Sequence, residues 1–333
     1  MNMERKVILP FEESPYIKMY HYLAFRWGII QGNAKEDITP WMCNKHVNCT
    51  YNEKKPIIPF EIAIWDTWPD LHIQYLQITR EFTENMSWDL VDIWRRMISL
   101  GCYPRGAYNE EHIPAKYPYK KFYHSHDYLL IGYDDDERVF HSVGYLPGHE
   151  FKRFTIPYDN MRESLLSLRV PVMYLEFLSY APVNGLALDI DTIMRDLSEY
   201  INSTTSVTMS KENVQFGMEA IRALNGRFAR EGENEGIDFR FTRGIMEHKF
   251  LMKTRVDYLT KNGYAVDAGF CDAADLVYKM SEKIHMLGLK YNMTQRKGVL
   301  DSLTAAIDEM LEIESEYLPK FLLSLESGRR NDK

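Results

Sequence analysis

Tyr123-His124-Ser125-His126-Asp127-Tyr128-Leu129-Leu130-Ile131-Gly132-Tyr133-Asp134-Asp135-Asp136 reads as a buried strand with two histidines at its mouth and an acidic turn at its far end. Side chains alternate along a strand, so His124 and His126 share one face and Asp127 takes the other. Asp134 to Glu137 turns the chain, and Arg138-Val139-Phe140-His141-Ser142-Val143 can return as a hairpin partner. An imidazole at the start of a rigid hairpin is where a cysteine–histidine acyl-transfer enzyme keeps its base. The same pattern also describes plain sheet structure with a polar end.

Outward from the hairpin, the first half of the chain reads as mixed. Pro15 through Ile30 predicts a helix with Tyr20, Leu23, Trp27 and Ile30 on one stripe. Residues 33–60 are loop-rich. Asn85 or Ser87 is expected to cap a helix that buries Leu90, Ile93, Trp94 and Met97 and stops at Gly101. Tyr103–Tyr108, Phe151–Ile156 and Val170–Leu178 read as strands, and a loop rich in tyrosine and lysine precedes the hairpin. From about residue 189 the periodicity becomes helical. Helices are expected to start at Asp191, Ser210 and Asp272, with others over 244–261 and Val299–Leu323, and a charged connection over 226–236. The expected fold class is therefore α+β. A mixed antiparallel-sheet domain occupies 1–185, an α-helical domain 186–326, and a flexible tail 327–333.

With 45% hydrophobic and 13% aromatic residues the chain can build a sizeable core. No apolar run reaches the roughly 18 residues a membrane span needs. No secretory signal follows Met1, so the expected location is cytoplasmic and no membrane partner is expected. A net charge of -8 argues against a nucleic-acid partner. Four cysteines in a chain of 333 residues do not make a disulfide framework. Cys43, His46 and Cys49 lack both zinc-site spacing and a fourth ligand. Asp134 to Glu137 lacks the spaced ligands of a calcium loop, and Glu247-His248 lacks the second histidine of a zinc helix. No metal and no resident cofactor are expected.

Three stretches carry a family resemblance: Ile98-Ser99-Leu100-Gly101-Cys102-Tyr103-Pro104, His126 through Asp135, and Met246-Glu247-His248-Lys249-Phe250-Leu251-Met252. Together they resemble the butirosin biosynthesis protein H family, whose N-terminal domain has a papain-like, peptidase C39-like fold. The resemblance implies an acyl- or aminoacyltransferase of peptide or aminoglycoside natural-product biosynthesis, acting on a carrier-protein thioester and a small-molecule amine. His126 would then be the base. Two family positions depart from the pattern. The nucleophilic cysteine of the first helix falls near Met19 or Tyr20, and the orienting aspartate falls near Val143.

Tyr145 is then the polar residue expected to orient His126, and Cys102 the substitute nucleophile. His124, Tyr123, Tyr128, Lys120, Lys121 and Met19 are expected to line the substrate site. Lys116, Lys120 and Lys121 form a local basic patch that suits the phosphate of a carrier's phosphopantetheine arm. The alternative is a catalytically inactive papain-like module that binds a carrier protein or a biosynthetic intermediate. Association into a homo-oligomer stays open.

Overall fold

The computed structural model describes residues 3–55, 58–62, 72–169, 174–181, 187–206, 212–267 and 269–331. In chain order the strands are β1 (Lys6–Ile8), β2 (Thr50–Asn52), β3 (Phe60–Glu61), β4 (Ile73–Thr79), β5 (Cys102–Asn109), β6 (Ser125–Asp134), β7 (Val139–Tyr145), β8 (Phe151–Pro157), β9 (Tyr174–Tyr180) and β10 (Val214–Phe216). The first helices are α1 (His21–Asn33), α2 (Thr39–Cys43), α3 (Arg80–Asn85), α4 (Leu90–Ser99) and α5 (Tyr158–Leu166). They are followed by α6 (Ile190–Asn202), α7 (Gly217–Glu235), α8 (Phe239–Lys261), α9 (Gly269–Thr294) and α10 (Lys297–Asn331). A single 3-10 turn, Glu110–His112, follows β5.

The chain is α+β and forms two compact units, Met1–Glu36 with Pro69–Asn184 and Asp37–Trp68 with Gly185–Lys333. This division differs from the expected 1–185 and 186–326, because residues 37–68 group with the helices. Pairing explains the difference: β2 is antiparallel to β10, α2 packs on α8, and Arg255 of α8 donates to the carbonyls of Cys43 and Lys45.

In the first unit an antiparallel sheet runs β4-β9-β5-β6-β7-β8. β6 is the long central strand. Its first half pairs with β5, from Arg105↔Leu129 to Asn109↔Ser125, and its second half pairs with β1. At Gly132 a side chain is excluded, because a Cβ there would lie 2.4 Å from the Val7 carbonyl oxygen. The β6–β7 hairpin forms with a bulge between Leu130 and Gly132. Arg138 closes its turn in the left-handed region at φ 53°.

One face of the sheet carries α4, whose Leu90, Val91, Ile93, Trp94 and Ile98 are buried at helical spacing. The Trp94 ring stands edge-on to Tyr128 and Phe140, and truncating such a side chain to alanine costs about 3–5 kcal/mol. The cap of α4 is Asp89, which accepts from the backbone of Val91 and Asp92. Asn85 is instead the last residue of α3, and Ser87 lies two residues too early. The strand expected over Val170–Leu178 is Tyr174–Tyr180, and its expected start at 170–173 lies outside the described residues.

The second unit is mainly helical, with a small β10-β2-β3 sheet. α8 buries Ile245, His248, Met252, Val256 and Leu259 at helical spacing. On α9 Leu276 is exposed, while Phe270, Ala274, Val277 and Ile284 point inward. The segment expected to be a connection over 226–236 is largely the second half of α7. The helix expected from Ser210 begins at Gly217, and residue 210 itself lies outside the described residues. α10 runs through Pro319 to Asn331, so the tail expected from 327 is helical as far as 331. Leu318 and Phe321 on either side of Pro319 are fully buried, and that packing offsets the lost backbone hydrogen bond. No helix among the described residues is long and apolar enough to cross a membrane.

Candidate functional site

His126 lies on the first half of β6, opposite Tyr108 of β5. Where β5 ends, Asn109 turns the chain into the 3-10 turn and places Glu110 level with the two histidines. The Glu110 backbone N–H donates to the His124 carbonyl at 2.8 Å. The Asn109 side-chain oxygen accepts from the backbone N–H groups of His124 and Glu111. Ser164 of α5 donates to the Asn109 carbonyl at 2.6 Å. These bonds fix the spacing between the turn and the strand before any side chain is considered.

Glu110 is buried, and its Oε1 lies 3.1 Å from Nδ1 of His126. The Lys116 ammonium, also buried, lies 3.4 Å from the same oxygen and donates to the Tyr145 carbonyl at 2.5 Å. His124 approaches the other oxygen, with Nε2 3.9 Å from Oε2. Burial opposes the charge on Glu110, but the hydrogen bond to His126 and the charges of Lys116, His126 and His124 outweigh it. The carboxyl is held below its ordinary range. Burial also lowers Lys116, and Glu110 offsets part of that. With Glu110 ionised, Nδ1 of a neutral His126 carries the proton and donates it to the carboxylate. The lone pair is then on Nε2, and the His126 side chain keeps 39% of its surface exposed. Such an arrangement can accept a proton at Nε2 while the carboxylate holds the ring in place.

At the first residue of α1, His21 is buried and meets His126 edge to face, with ring centroids 4.3 Å apart. The Tyr145 backbone N–H donates to Nε2 of His21 at 3.3 Å, so the His21 proton sits on Nδ1. His21 lies one residue after Tyr20 and two after Met19, the positions near which the thiol was expected. No protein-family model matches the chain, and no characterised protein matches its sequence.

Several expected site residues are placed elsewhere. Tyr145 does not orient His126. Its hydroxyl donates to the Lys18 carbonyl, its ring packs edge-on against His21, and its backbone serves His21 and Lys116. Glu110 takes the orienting role instead. Cys102 begins β5 opposite Ser179, six residues from Tyr108 and so roughly 20 Å from His126. Burial raises its thiol, and at that distance it does not meet the imidazole. Tyr128 is 1% exposed in the core between Trp94 and Tyr108, and cannot touch a substrate.

Met19 is buried two residues before His21. Tyr123 stacks under the Arg169 guanidinium and accepts from its backbone N–H. Lys120 and Lys121 are exposed and lie over the rings of Tyr119 and Tyr117. Within that loop it is Lys116 that reaches Glu110.

Glu110 and His21 were not foreseen as site residues, and Lys116 was expected only in a basic patch for a carrier phosphate. The signal for Glu110 was present: a strand ending at 109 beside an antiparallel strand starting at 125 must bring residue 110 alongside residue 124. Asp127 lies on the opposite face, as alternation requires, 3.9 Å from Arg105.

The remaining motifs are structural. Asp134 accepts from the backbone of Asp136 and Glu137 and pairs with Lys6, so it builds the turn. In the helical unit, burial pushes Cys43 up to about 11 and Cys49 up to about 12, which keeps both as thiols. His248 is fully buried, donates from Nε2 to the Val47 carbonyl, and is held neutral by burial. Beside it, Lys249 and Glu314 form an ion pair at 2.6 Å with no exposed surface, joined by the Tyr200 hydroxyl.

Proposed function

We propose that this chain transfers an acyl or aminoacyl group from a carrier-protein thioester to a small-molecule amine on a papain-like scaffold, with His126 as general base. The observation that carries the reading is the half-exposed His126 imidazole held through Nδ1 by the buried Glu110 carboxylate. That arrangement orients the ring and stabilises the imidazolium that forms during proton transfer. The choice of thioester and amine comes from the resemblance of 98–104, 126–135 and 246–252 to the butirosin biosynthesis protein H family.

In the proposed step the amine nitrogen attacks the thioester carbonyl and a C–N bond forms as Nε2 of His126 takes the amine proton. The tetrahedral intermediate then collapses, the C–S bond breaks, and the leaving thiolate takes the proton from the imidazolium. The products are an amide and the carrier thiol, with no acyl-enzyme. Direct transfer accounts for an imidazole, rather than a thiol, at the head of α1.

The full chain is incubated with acyl-loaded carrier protein, or with N-acetylcysteamine thioesters as surrogates, and a panel of amines. Amide is followed by mass spectrometry. His126→Ala is expected to lower the rate by about 10²- to 10⁴-fold, the range for one general base, and Glu110→Gln to displace the pH profile. Undiminished amide from His126→Ala would remove that residue from the mechanism. A second reading, a binding module for a loaded carrier, is favoured by the buried, uncharged state of Cys43 and Cys49 and by the distance of Cys102. It predicts carrier binding with no amide from the wild-type chain.

A further inference from the structure

We infer that Glu110, His124 and His126 bind a divalent first-row transition-metal ion, zinc by their donor set. Two imidazoles and one carboxylate, with a coordination position left open, form a known class of zinc ligand set. One ligand atom from each residue can be chosen so that all three lie within 4.8 Å of one another. Three such atoms can all stand within about 2.8 Å of a common point, against roughly 2.0–2.2 Å for zinc to nitrogen or oxygen. An inward shift of about 0.7 Å closes the set. His124, whose side chain is half exposed, has the freedom to supply most of it.

The backbone already spaces the donors. His126 projects from β6 and His124 from the residue just before it, and both imidazoles approach the Glu110 carboxylate. Glu110 is fastened to that strand by its own N–H to the His124 carbonyl and by the Asn109 side chain that spans both segments. A site whose supporting bonds exist beforehand needs little ordering when an ion arrives.

Lys116 is the feature that opposes a cation, and its placement says which oxygen is used. Its ammonium lies on the Oε1 side of Glu110, whereas His124 lies on the Oε2 side. The ion therefore takes Oε2. His21 stays outside the set, because its Nε2 already accepts from Tyr145.

Ligation through Nδ1 of His126 would displace the hydrogen bond to Glu110 and leave the proton on Nε2. The ion and the base function exclude one another. This inhibitory consequence rests on the proposed acyl transfer; the binding itself does not.

The test uses the full-length chain, metal-free and without acyl substrate. Cobalt(II) is titrated as a visible reporter of ligand number, and zinc is added in competition. We expect one cobalt per chain with d–d absorption of low-coordinate nitrogen and oxygen ligation, displaced by zinc. His124→Ala should weaken binding by at least 10-fold. Lys116→Met should tighten it, a sign that misfolding cannot imitate. Absence of cobalt binding below millimolar concentration overturns the inference. So does an affinity unchanged in His124→Ala, which would place the ion elsewhere, for example on the acidic turn at Asp134–Glu137. Neither outcome touches the amide assay, so the two proposals fail separately.

Discussion

Glu110→Gln keeps the size of the side chain and a carbonyl oxygen for His126 but takes the negative charge away from Lys116. The Lys116 side chain is 3% exposed and Glu110 7%, so the ammonium left behind has almost no water to compensate it. Breaking a buried pair by removing one partner costs about 3–5 kcal/mol. Lys116 can instead shed its proton, which sets a ceiling. Moving a lysine from its ordinary 10.5 to neutrality at pH 7 costs about 5 kcal/mol, at ~1.4 kcal/mol per unit. The retained hydrogen bond to the Tyr145 carbonyl favours the lower end, so about 3 kcal/mol is expected at pH 7.

The sign with pH follows from linkage. In the variant the folded state holds Lys116 less protonated than the unfolded state does, so stability rises as pH rises and the gap to wild type narrows above neutrality. Hydrogen exchange in β5 and β6 between pH 6 and 9, with urea unfolding alongside, reads this directly, because the two units need not unfold together. Lys116→Met in the Glu110→Gln background should recover most of the loss. A single variant within about 1 kcal/mol of wild type and flat in pH would refute the reasoning, as would a double variant no better than the single.

Three further outcomes follow from the same physics. Glu110 has a lowered folded value, so its stabilisation is complete above its ordinary 4.5 and is lost as pH falls through the folded value below that. Wild type should thus lose stability more steeply than Glu110→Gln as pH falls below 4.5 in acid-unfolding curves, and equal slopes would contradict this. Disulfide-exchange reagents at pH 8 should leave Cys43 and Cys49 unmodified in the native chain while Cys102 and Cys271 react first; equal rates for all four would show that the two buried thiols are accessible. Lys249→Met should destabilise the helical unit by about 3–5 kcal/mol in chemical denaturation, and Lys249→Met with Glu314→Gln should restore most of it.

Periodicity and turn chemistry carried the local structure. The β6–β7 hairpin was legible because an apolar run ended in Asp134–Glu137, and α8 because its apolar residues recur at helical spacing. Boundaries failed where two signals competed. Three polar residues could cap α4, and only the chain geometry selects Asp89. Pro319 normally stops a helix, yet the packing of Leu318 and Phe321 carries α10 through it. The site was half legible. His126 announces itself by its place on a strand, but its partner comes from a turn 16 residues away in sequence. Finding Glu110 required the β5–β6 register, and propensity alone does not fix register. Tyr145 was the wrong partner because its hydroxyl donates to the Lys18 carbonyl, a contact that no strand pattern reveals.

Residues 37–68 are made early but have no home until much later. β2 waits for β10, more than 150 positions downstream, and the Cys43 and Lys45 carbonyls wait for Arg255. During synthesis this stretch must leave the ribosome with Trp41, Cys43 and Cys49 unshielded while the sheet around it is already being assembled. A nascent chain halted near residue 200 would thus carry a sticky, unsatisfied loop. Any attempt to express the sheet unit alone should excise 37–68 and bridge the gap, rather than simply stop at the end of β9.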